Sequence, residues 1–471
     1  MSTHAAPLPS TMVRHAESAA SQACHQKAQI ESQVLTAPTT PDLQAYRASI
    51  LHFVSDPADD ESAIRWHEDG LLLIADGHIR AVGDYAVLSG DLPAGLPVED
   101  LRGKIIIPGF IDSHVHYPQT DMIASPAKSL LPWLENYTFP AERRFEEQAH
   151  GEEVASFFLQ ELLRNGTTTA AVYCTVHPES AEAFFSQSAA RNLRMIAGKC
   201  LMDRNAPDFL IDTAEQGIRD SEHLLQRWHG KGRQSYAITV RFAPTSTPAQ
   251  LQMAGELAAA YPDAFIQTHV AENRDEVAWV KSLFPDSRSY LDVYDCHGLL
   301  RPRAIYAHCI WLDDADRARM AAAGAAIAFC PTSNLFLGSG LFDFRAADVA
   351  RVAMSLGTDV GAGTSFSMLQ TMNEAYKVAR MGGYHLTASR MFYLATLGGA
   401  RALGMEGTIG NFATVCEADF IVLDPLATPL LARRSASCRN LEERLIALAM
   451  LADDRVIAAT YSAGKCVHRR A

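Results

Sequence analysis

The sequence predicts an α/β fold: a (β/α)8 TIM-like barrel with a small β-sandwich domain built from both termini. Three observations support this prediction. Strand-like segments alternate with helical patterns through the middle of the chain, short turn-bounded strands occupy both ends, and polar side chains follow several central strands. Because the active site of such a barrel lies at the carboxyl ends of its strands, the third observation points to a functional site.

The central part of the chain supplies eight candidate strands. In order they are PGFIDSHVH, GTTTAAVY, RMIAGKC, YAITVRFAP, AFIQTHVAEN, AIYAHCI, AAIAFCPTSN and MSLGTDVG. Helical patterns lie between them, such as GEEVASFFLQELLRNG and TPAQLQMAGELAAAYPDA, and the second is expected to end near Pro262. Repeated alternation of this kind indicates a parallel sheet with buried strands. Eight units over roughly 300 residues favour a barrel, and a doubly wound sheet is the alternative.

The two ends of the chain consist of short strands separated by Gly, Asp and Pro. The segment ADGHIRAVG predicts a hairpin that turns at Asp76-Gly77. Near the other end, RVIAATYSAGKCVH predicts a second hairpin with its turn at Ala463-Gly464. Two β-rich ends that flank a different middle indicate one small domain assembled from both termini.

These patterns predict three parts with definite boundaries. Residues 46–107 and 405–471 are expected to form the β-sandwich domain, and residues 108–404 the barrel. Residues 1–45 are rich in Ala, Ser, Gln, Thr and Pro without clear periodicity, which is typical of a flexible extension.

Composition excludes several classes of partner. The formal net charge of −13 disfavours binding to nucleic-acid backbones and to anionic membrane surfaces. The chain shows no uninterrupted apolar run long enough to predict a membrane span. Its nine cysteines are scattered and include no C-x-x-C pair, which favours a reducing, cytoplasmic location over a disulfide framework.

Metal-ligand residues stand at the ends of several predicted strands. His114 and His116 end the first strand, and residues two apart in a strand point to the same face. His269 ends the fifth strand and Asp359 the eighth. Strand ends of one barrel converge, so these four residues supply three imidazole nitrogens and one carboxylate oxygen to a single divalent metal site. Ligand type alone leaves zinc, iron and manganese open.

Two further strand-end residues are suited to catalysis. A divalent metal lowers the pKa of a water bound to it toward ~7. Glu272, three residues after His269, is placed to shuttle protons, and His308 at the end of the sixth strand is placed to orient the water. The fourth strand carries no lysine that could be carboxylated to bridge two metals, which favours a single metal ion.

These motifs resemble the amidohydrolase superfamily of barrel metallohydrolases and, within it, the guanine deaminase family. The family resemblance runs from about residue 100 to 425 through HVHYPQTDM, WLENYTFPAERRF, KCLMDRNAPD, RFAPTST, HVAENRDEVAWVKSLFP and GTDVGAGTSFSML. It implies hydrolytic deamination of guanine to xanthine and ammonia, one Zn²⁺ per chain, and a homodimer. Val415-Cys416 departs from the Gly-Lys that the family tends to have, outside the site.

The resemblance also assigns roles residue by residue. The implied metal ligands are His114, His116, His269 and Asp359, and the implied catalytic residues are Glu272, His308 and Asp359. The implied substrate-binding residues are His116, Tyr117, Pro118, Gln119, Arg241, Phe242, His269, Glu272 and Asp359. An arginine has only donors, so Arg241 aimed at the O6 carbonyl of guanine favours guanine over adenine, which has an amine there.

Some alternatives remain open at this stage. Phe242 either stacks on the base or packs in the core, and Trp133 either closes the pocket or is structural. Another heterocycle deaminase or a chlorohydrolase of the same superfamily is the first alternative function. A non-catalytic scaffold relative is the second, although such proteins typically lose metal ligands and this chain keeps all four.

Overall fold

The computed structural model describes residues 42–126 and 128–470. Residues 1–41 lie outside the described part, so the predicted flexible extension stays a prediction. Within the described residues the chain forms sixteen strands, which are β1 (Leu43–Phe53), β2 (Ile64–Ala75), β3 (His78–Asp84), β4 (Val98–Pro108), β5 (Phe110–His116), β6 (Thr167–Tyr173), β7 (Arg194–Gly198), β8 (Cys200–Leu201), β9 (Gln234–Val240), β10 (Phe265–Val270), β11 (Ala304–His308), β12 (Ala326–Phe329), β13 (Ala353–Leu356), β14 (Phe420–Leu423), β15 (Ile457–Ser462) and β16 (Lys465–Arg469).

Eight of these strands form the predicted parallel barrel. β5, β6, β7, β9, β10, β11, β12 and β13 pair in that order, each parallel to the next, and short β8 pairs with β9. Hydrogen bonds between the first and last strands bring the two edges together: the Ser113 hydroxyl donates to the Leu356 carbonyl at 2.9 Å. In the loop after β13, the backbone N–H of Asp359 donates to the His114 carbonyl at 2.9 Å. The barrel prediction is confirmed, and the doubly wound alternative is not what the chain adopts.

Helices cover the outside of the barrel and continue into the C-terminal region. In chain order the α-helices of the described part are Tyr85–Leu88, Leu130–Trp133, Phe139–Glu142, Gln148–Arg164, Pro178–Ala190, Ala214–Trp228, Pro248–Ala260, Arg274–Leu283, Tyr290–Asp295, Asp314–Ala323, Pro331–Phe336, Phe344–Val349, Met368–Met381, Ala388–Leu394, Leu397–Ala402, Pro429–Ser435 and Leu441–Leu451. The helix predicted to end near Pro262 ends at Ala260, and its N-terminus is capped by the Thr247 hydroxyl, which accepts from the Gln250 N–H. No helix of the described chain is long and apolar enough to cross a membrane.

The strands from both termini form a second sheet, as predicted. In the described chain its seven strands lie in the order β16-β15-β14-β4-β1-β2-β3. Both predicted hairpins turn where expected, with the left-handed backbone that two-residue turns require: φ is 51° at Asp76 and 77° at Gly77. The sheet is continuous, because β4 and β14 pair edge to edge and join the two halves. The two halves also pack against each other: the ring centres of Tyr46 in β1 and Tyr461 in β15 are 5.4 Å apart, although two strands lie between them in the sheet. The domain boundaries given above stay a prediction.

A charged cluster links the second sheet to the amino-terminal end of the barrel. Arg194 begins β7 and Arg233 immediately precedes β9. Both donate to Glu417, which lies before β14, with Arg233 Nη2 at 2.6 Å from Glu417 Oε2. Arg233 also contacts Asp419. Arg233 and Asp419 are almost fully buried, so the cluster is a paired, desolvated contact on the side opposite the predicted site.

Candidate metal centre and active site

The four predicted metal ligands meet inside the carboxyl end of the barrel. The Nε2 atom of His116 lies 3.3 Å from Nε2 of His114 and 3.2 Å from Nε2 of His269. The Oδ1 atom of Asp359 lies 3.2 Å from His114 Nε2 and 3.4 Å from His116 Nε2. Four tetrahedral ligands at the ~2.0–2.1 Å typical of zinc would be roughly 3.3 Å apart. These four separations are close to that value, and the chemistry of the donor set suits such an ion. His308 forms an overlapping candidate group with His114 and Asp359.

The histidines of this cluster are held in the state that binds metal. Burial holds the pKa of His114, His116 and His269 well below its usual value, and neighbouring positive charges lower it further. The imidazoles are therefore neutral at pH 7. His269 Nδ1 lies 2.7 Å from the Arg241 carbonyl oxygen, so Nδ1 carries the proton and the lone pair of Nε2 faces the cluster.

Backbone geometry at the strand ends also serves the site. Asp359 has φ 53° and His308 has φ 69°, left-handed values that cost about 1–3 kcal/mol each in residues other than glycine. Asp112 lies beneath them and is fully buried. Its carboxylate accepts from the N–H of His114 at 3.2 Å and from the N–H of Thr358 at 3.0 Å. Asp112 therefore ties the strand that carries the paired histidines to the loop that carries Asp359.

Glu272 and His308 border the cluster on one side. Glu272 Oε2 lies 3.5 Å from His308 Nε2, and the Ser339 hydroxyl donates to Glu272 Oε1 at 2.9 Å. Burial raises the pKa of Glu272 to about 8, with the Asp359 charge adding to the effect. His308 Nδ1 contacts Asn334 Oδ1 at 2.8 Å. Among the described residues its Nε2 has no hydrogen-bond partner, so a buried polar atom points toward the centre, 3.8 Å from Asp359 Oδ2.

A cavity opens onto the cluster. Its polar wall includes Arg241 and Gln119, and its apolar wall includes Phe242, Trp133 and Leu134. Hydrogen-bond donors, aromatic side chains and the metal-ligand cluster therefore line one cavity.

Comparison with known proteins agrees with this geometry. Residues 105–467, about three quarters of the chain, match the amidohydrolase family. The chain belongs to the amidohydrolase family.

Relatives of this amidohydrolase include several guanine deaminases. It is 49% identical to the guanine deaminase of Escherichia coli (strain K12) over 91% of this chain and 98% of that protein. The E. coli guanine deaminase structure superposes with a TM-score of 0.87. The guanine deaminase of Bradyrhizobium japonicum, 37% identical over 91% of this chain and 100% of that one, also gives 0.87. A guanine deaminase from C. acetobutylicum with bound guanine is 29% identical over 91% and 100% of the two chains, with a TM-score of 0.82. The predicted family resemblance is confirmed.

The remaining predicted residues of this amidohydrolase divide into two groups. Phe242 and Trp133, for which a purely structural role was the alternative, both line the cavity. Tyr117 and Pro118 do not line it. The Tyr117 hydroxyl donates to the Ser180 carbonyl at 2.6 Å, and its ring packs into the apolar layer between barrel and helices. The short helical turn Tyr117–Met122 rotates successive side chains, so Gln119 faces the cavity while Tyr117 faces away from it.

Sequence reasoning missed several buried residues of the site, among them Glu276, which lines the cavity and accepts from the Glu272 N–H at 3.0 Å. Glu142 contacts Arg241 and Gln119, Ser339 contacts Glu272, and Asp112 supports the ligand strand. Glu142 lies in the motif WLENYTFPAE and Asp112 in PGFIDSHVH, and both motifs contribute to the family resemblance or to a predicted strand. Neither sits at a strand terminus, the feature by which the other site residues were found.

Proposed function

We propose that this amidohydrolase hydrolyses guanine to xanthine and ammonia with one zinc ion per chain. The observation that carries the proposal is the cavity in which Arg241 and Gln119 face the histidine and aspartate cluster. The 49% identity to E. coli guanine deaminase supports guanine as the substrate. Guanine in the active site of the C. acetobutylicum structure, which covers 91% of this chain, supports it further.

The metal is proposed to be zinc because three neutral imidazoles and one carboxylate are ligands that zinc prefers. The proposed ligands are His114, His116, His269 and Asp359. When bound, a zinc ion supplies the Lewis acidity that makes a water molecule nucleophilic at neutral pH.

Glu272 is proposed to carry the protons of the reaction. Attack at C2 of guanine needs a base that takes a proton from water and an acid that protonates the ring nitrogen and then the departing amine. With its pKa raised to about 8 by burial, the Glu272 carboxyl can both accept and release a proton near neutral pH. The Ser339 hydroxyl donates a hydrogen bond to Glu272 Oε1, and His308 Nε2 lies 3.5 Å from Glu272 Oε2. One residue thus serves as base and acid in successive steps.

Recognition of the base is assigned to Arg241, Gln119 and Phe242, which line the cavity. The Arg241 guanidinium carries only donors and matches the O6 acceptor of guanine. Adenine has an amine at this position, so a donor would face a donor and no hydrogen bond could form. Gln119 supplies an additional amide group, and Phe242 offers an aromatic surface for the purine ring. Because these groups and the metal ligands line one cavity, base selection fixes the position of C2 relative to the nucleophile.

A substrate panel tests the proposal. Ammonia release and xanthine formation are measured on zinc-loaded protein with guanine, adenine, cytosine and 8-oxoguanine. We expect guanine to be turned over with kcat/KM of at least about 10⁴ M⁻¹s⁻¹ and the other bases far more slowly. Preferred turnover of another base would identify a different heterocycle deaminase. No turnover of any base would indicate a non-catalytic relative, and either result would overturn the proposal.

The family resemblance also supports a cytoplasmic homodimer that acts in purine catabolism or salvage. The acidic net charge of −13 supports a small-molecule enzyme that binds neither nucleic acid nor membranes. Sedimentation velocity measures the oligomeric state directly. We expect one species of about twice the chain mass of 51.4 kDa, and a monomer would contradict the dimer.

A further inference from the structure

A buried carboxylate stands behind the base-contacting wall of the cavity. Glu142 is only 1% exposed and ends the short helix Phe139–Glu142, part of a helical segment whose other residues Leu130, Trp133 and Leu134 line the cavity. Its Oε2 atom accepts from Arg241 Nη1 at 2.6 Å. Its Oε1 atom accepts from Gln119 Nε2 at 3.2 Å. One carboxylate therefore contacts both polar groups that face the base.

The contact between Glu142 and Gln119 fixes the orientation of the Gln119 side-chain amide. A carboxylate only accepts hydrogen bonds, so the amide nitrogen of Gln119 must face Glu142. The Gly361 N–H, which only donates, lies 3.2 Å from the amide oxygen on the other side. Both ends of the amide are thus specified by their neighbours, and its second N–H is left for a ligand.

The same short helix also fixes Arg241. Phe139 and Glu142 are three residues apart and share a helix face. The guanidinium of Arg241 lies 5.6 Å from the centre of the Phe139 ring while it pairs with Glu142. Arg241 is 3% exposed, so without Glu142 its positive charge would be buried unpaired. The pair makes this wall electrically neutral while leaving other guanidinium donors for a carbonyl.

We propose that Glu142 is a positioning residue. It fixes which hydrogen-bond donors Arg241 and Gln119 present to the base, and thereby sets the preference for 6-oxopurines. The inference rests on the proposed function for its substrate class. A glutamine at position 142 has the same shape but carries one donor and one acceptor. Whichever way it turns, an N–H faces either Arg241 or Gln119, and the donor pattern that the carboxylate imposes is lost.

Binding of two unreactive bases tests this role apart from turnover. Hypoxanthine has the 6-oxo group but no 2-amine to release, and purine lacks both groups. Their Kd values are measured by calorimetry on zinc-loaded wild type, Glu142→Gln and the matched control Glu146→Gln, an exposed carboxylate on the next turn. We expect Glu142→Gln to weaken hypoxanthine binding roughly 10- to 100-fold and purine binding less than about threefold. The control should match the wild type.

The outcomes separate the inference from the proposed function. Equal weakening of both bases would indicate a merely structural role, and unchanged hypoxanthine binding would remove any role; both overturn the inference. If Glu142→Gln does not fold, Glu142→Asp replaces it, because it keeps the charge and is expected to retain partial selectivity for hypoxanthine. If Glu142→Asp weakens the binding of hypoxanthine and of purine equally, the inference is overturned as well. A wild type that binds hypoxanthine selectively but does not deaminate guanine would refute the proposed function and leave Glu142 its role.

Discussion

His269 Nδ1 donates a hydrogen bond to the backbone carbonyl oxygen of Arg241 at 2.7 Å. A candidate metal ligand is therefore oriented by the main chain of a residue whose side chain lines the cavity. The main chain of Arg241 thus contacts a proposed metal ligand, while its guanidinium lines the cavity proposed to bind the base. Substitution of the side chain should therefore separate the two functions.

Arg241→Lys is expected to raise the KM for guanine about tenfold or more while the zinc content stays at one per chain. Lysine keeps the positive charge that pairs with Glu142, but it lacks the planar fork of N–H donors. Metal analysis and steady-state kinetics on the same preparation measure both quantities. Loss of zinc together with affinity would show that the side chain, and not the carbonyl, supports His269.

Glu272→Gln is expected to lower kcat by about 10²- to 10⁴-fold, because the amide can no longer take up and release a proton. Zinc content should stay at one per chain, since Glu272 is not among the proposed ligands. Asp275→Asn, an exposed carboxylate three residues further on, is the matched control and should retain wild-type activity. A Glu272→Gln enzyme within tenfold of wild type would exclude the shuttle role.

The barrel and the metal cluster could be predicted from sequence because both follow from local rules. Strands reveal themselves by apolar, β-branched runs, and parallel strands must place their carboxyl ends on one face. His114, His116, His269 and Asp359 could therefore be grouped although they span more than half of the chain. The pairing of β4 with β14 could not be predicted, because the alternation of residues along a strand does not show which strand lies next to it.

Contacts made outside the strand ends could not be predicted in this way. Ser339 lies 67 residues after Glu272, in a loop with no periodic pattern, and only the folded chain brings them within 2.9 Å. Glu142 is buried because Arg241 neutralises it, and a sequence cannot show such pairing. The family resemblance implies that Tyr117 binds substrate, whereas in the structure its side chain does not line the cavity and its hydroxyl is bonded to Ser180.

Ser339→Ala is expected to lower kcat for guanine about tenfold with little change in KM. The variant removes the hydroxyl that holds Glu272 Oε1 and leaves a buried oxygen without that donor, which costs roughly 1–3 kcal/mol. Kinetics and thermal melting on the zinc-loaded variant measure the effect. A rise in KM at unchanged kcat would place Ser339 in substrate binding instead.

Zinc removal is expected to lower Tm, because the Asp359 carboxylate would be buried without its cation and the metal-facing lone pairs of the histidines would lie close together. Binding to the native state alone stabilises it by about 4 kcal/mol at a ligand concentration of 1,000 Kd. Scanning calorimetry of chelator-treated protein, with and without added zinc, measures the shift. His116→Ala should abolish the zinc-dependent rise, and a wild type whose Tm ignores zinc would contradict the site.

Glu417→Gln tests the contact between sheet and barrel through its pH dependence. Burial raises the pKa of Glu417, but the hydrogen bond from Arg194 and the charge of Arg233 outweigh it, so the pKa lies below its usual value. Asp419 shares Arg233. A lowered folded-state pKa means that ionised Glu417 stabilises the fold above the unfolded pKa of about 4.3, and that this stabilisation is lost as pH falls through the folded value. Urea unfolding should therefore show the variant less stable by roughly 1.5–3 kcal/mol at pH 7. The difference should shrink below about pH 4. Exposed Glu406→Gln is the control, and a difference that grows on acidification would rule out the ionised pair as its source.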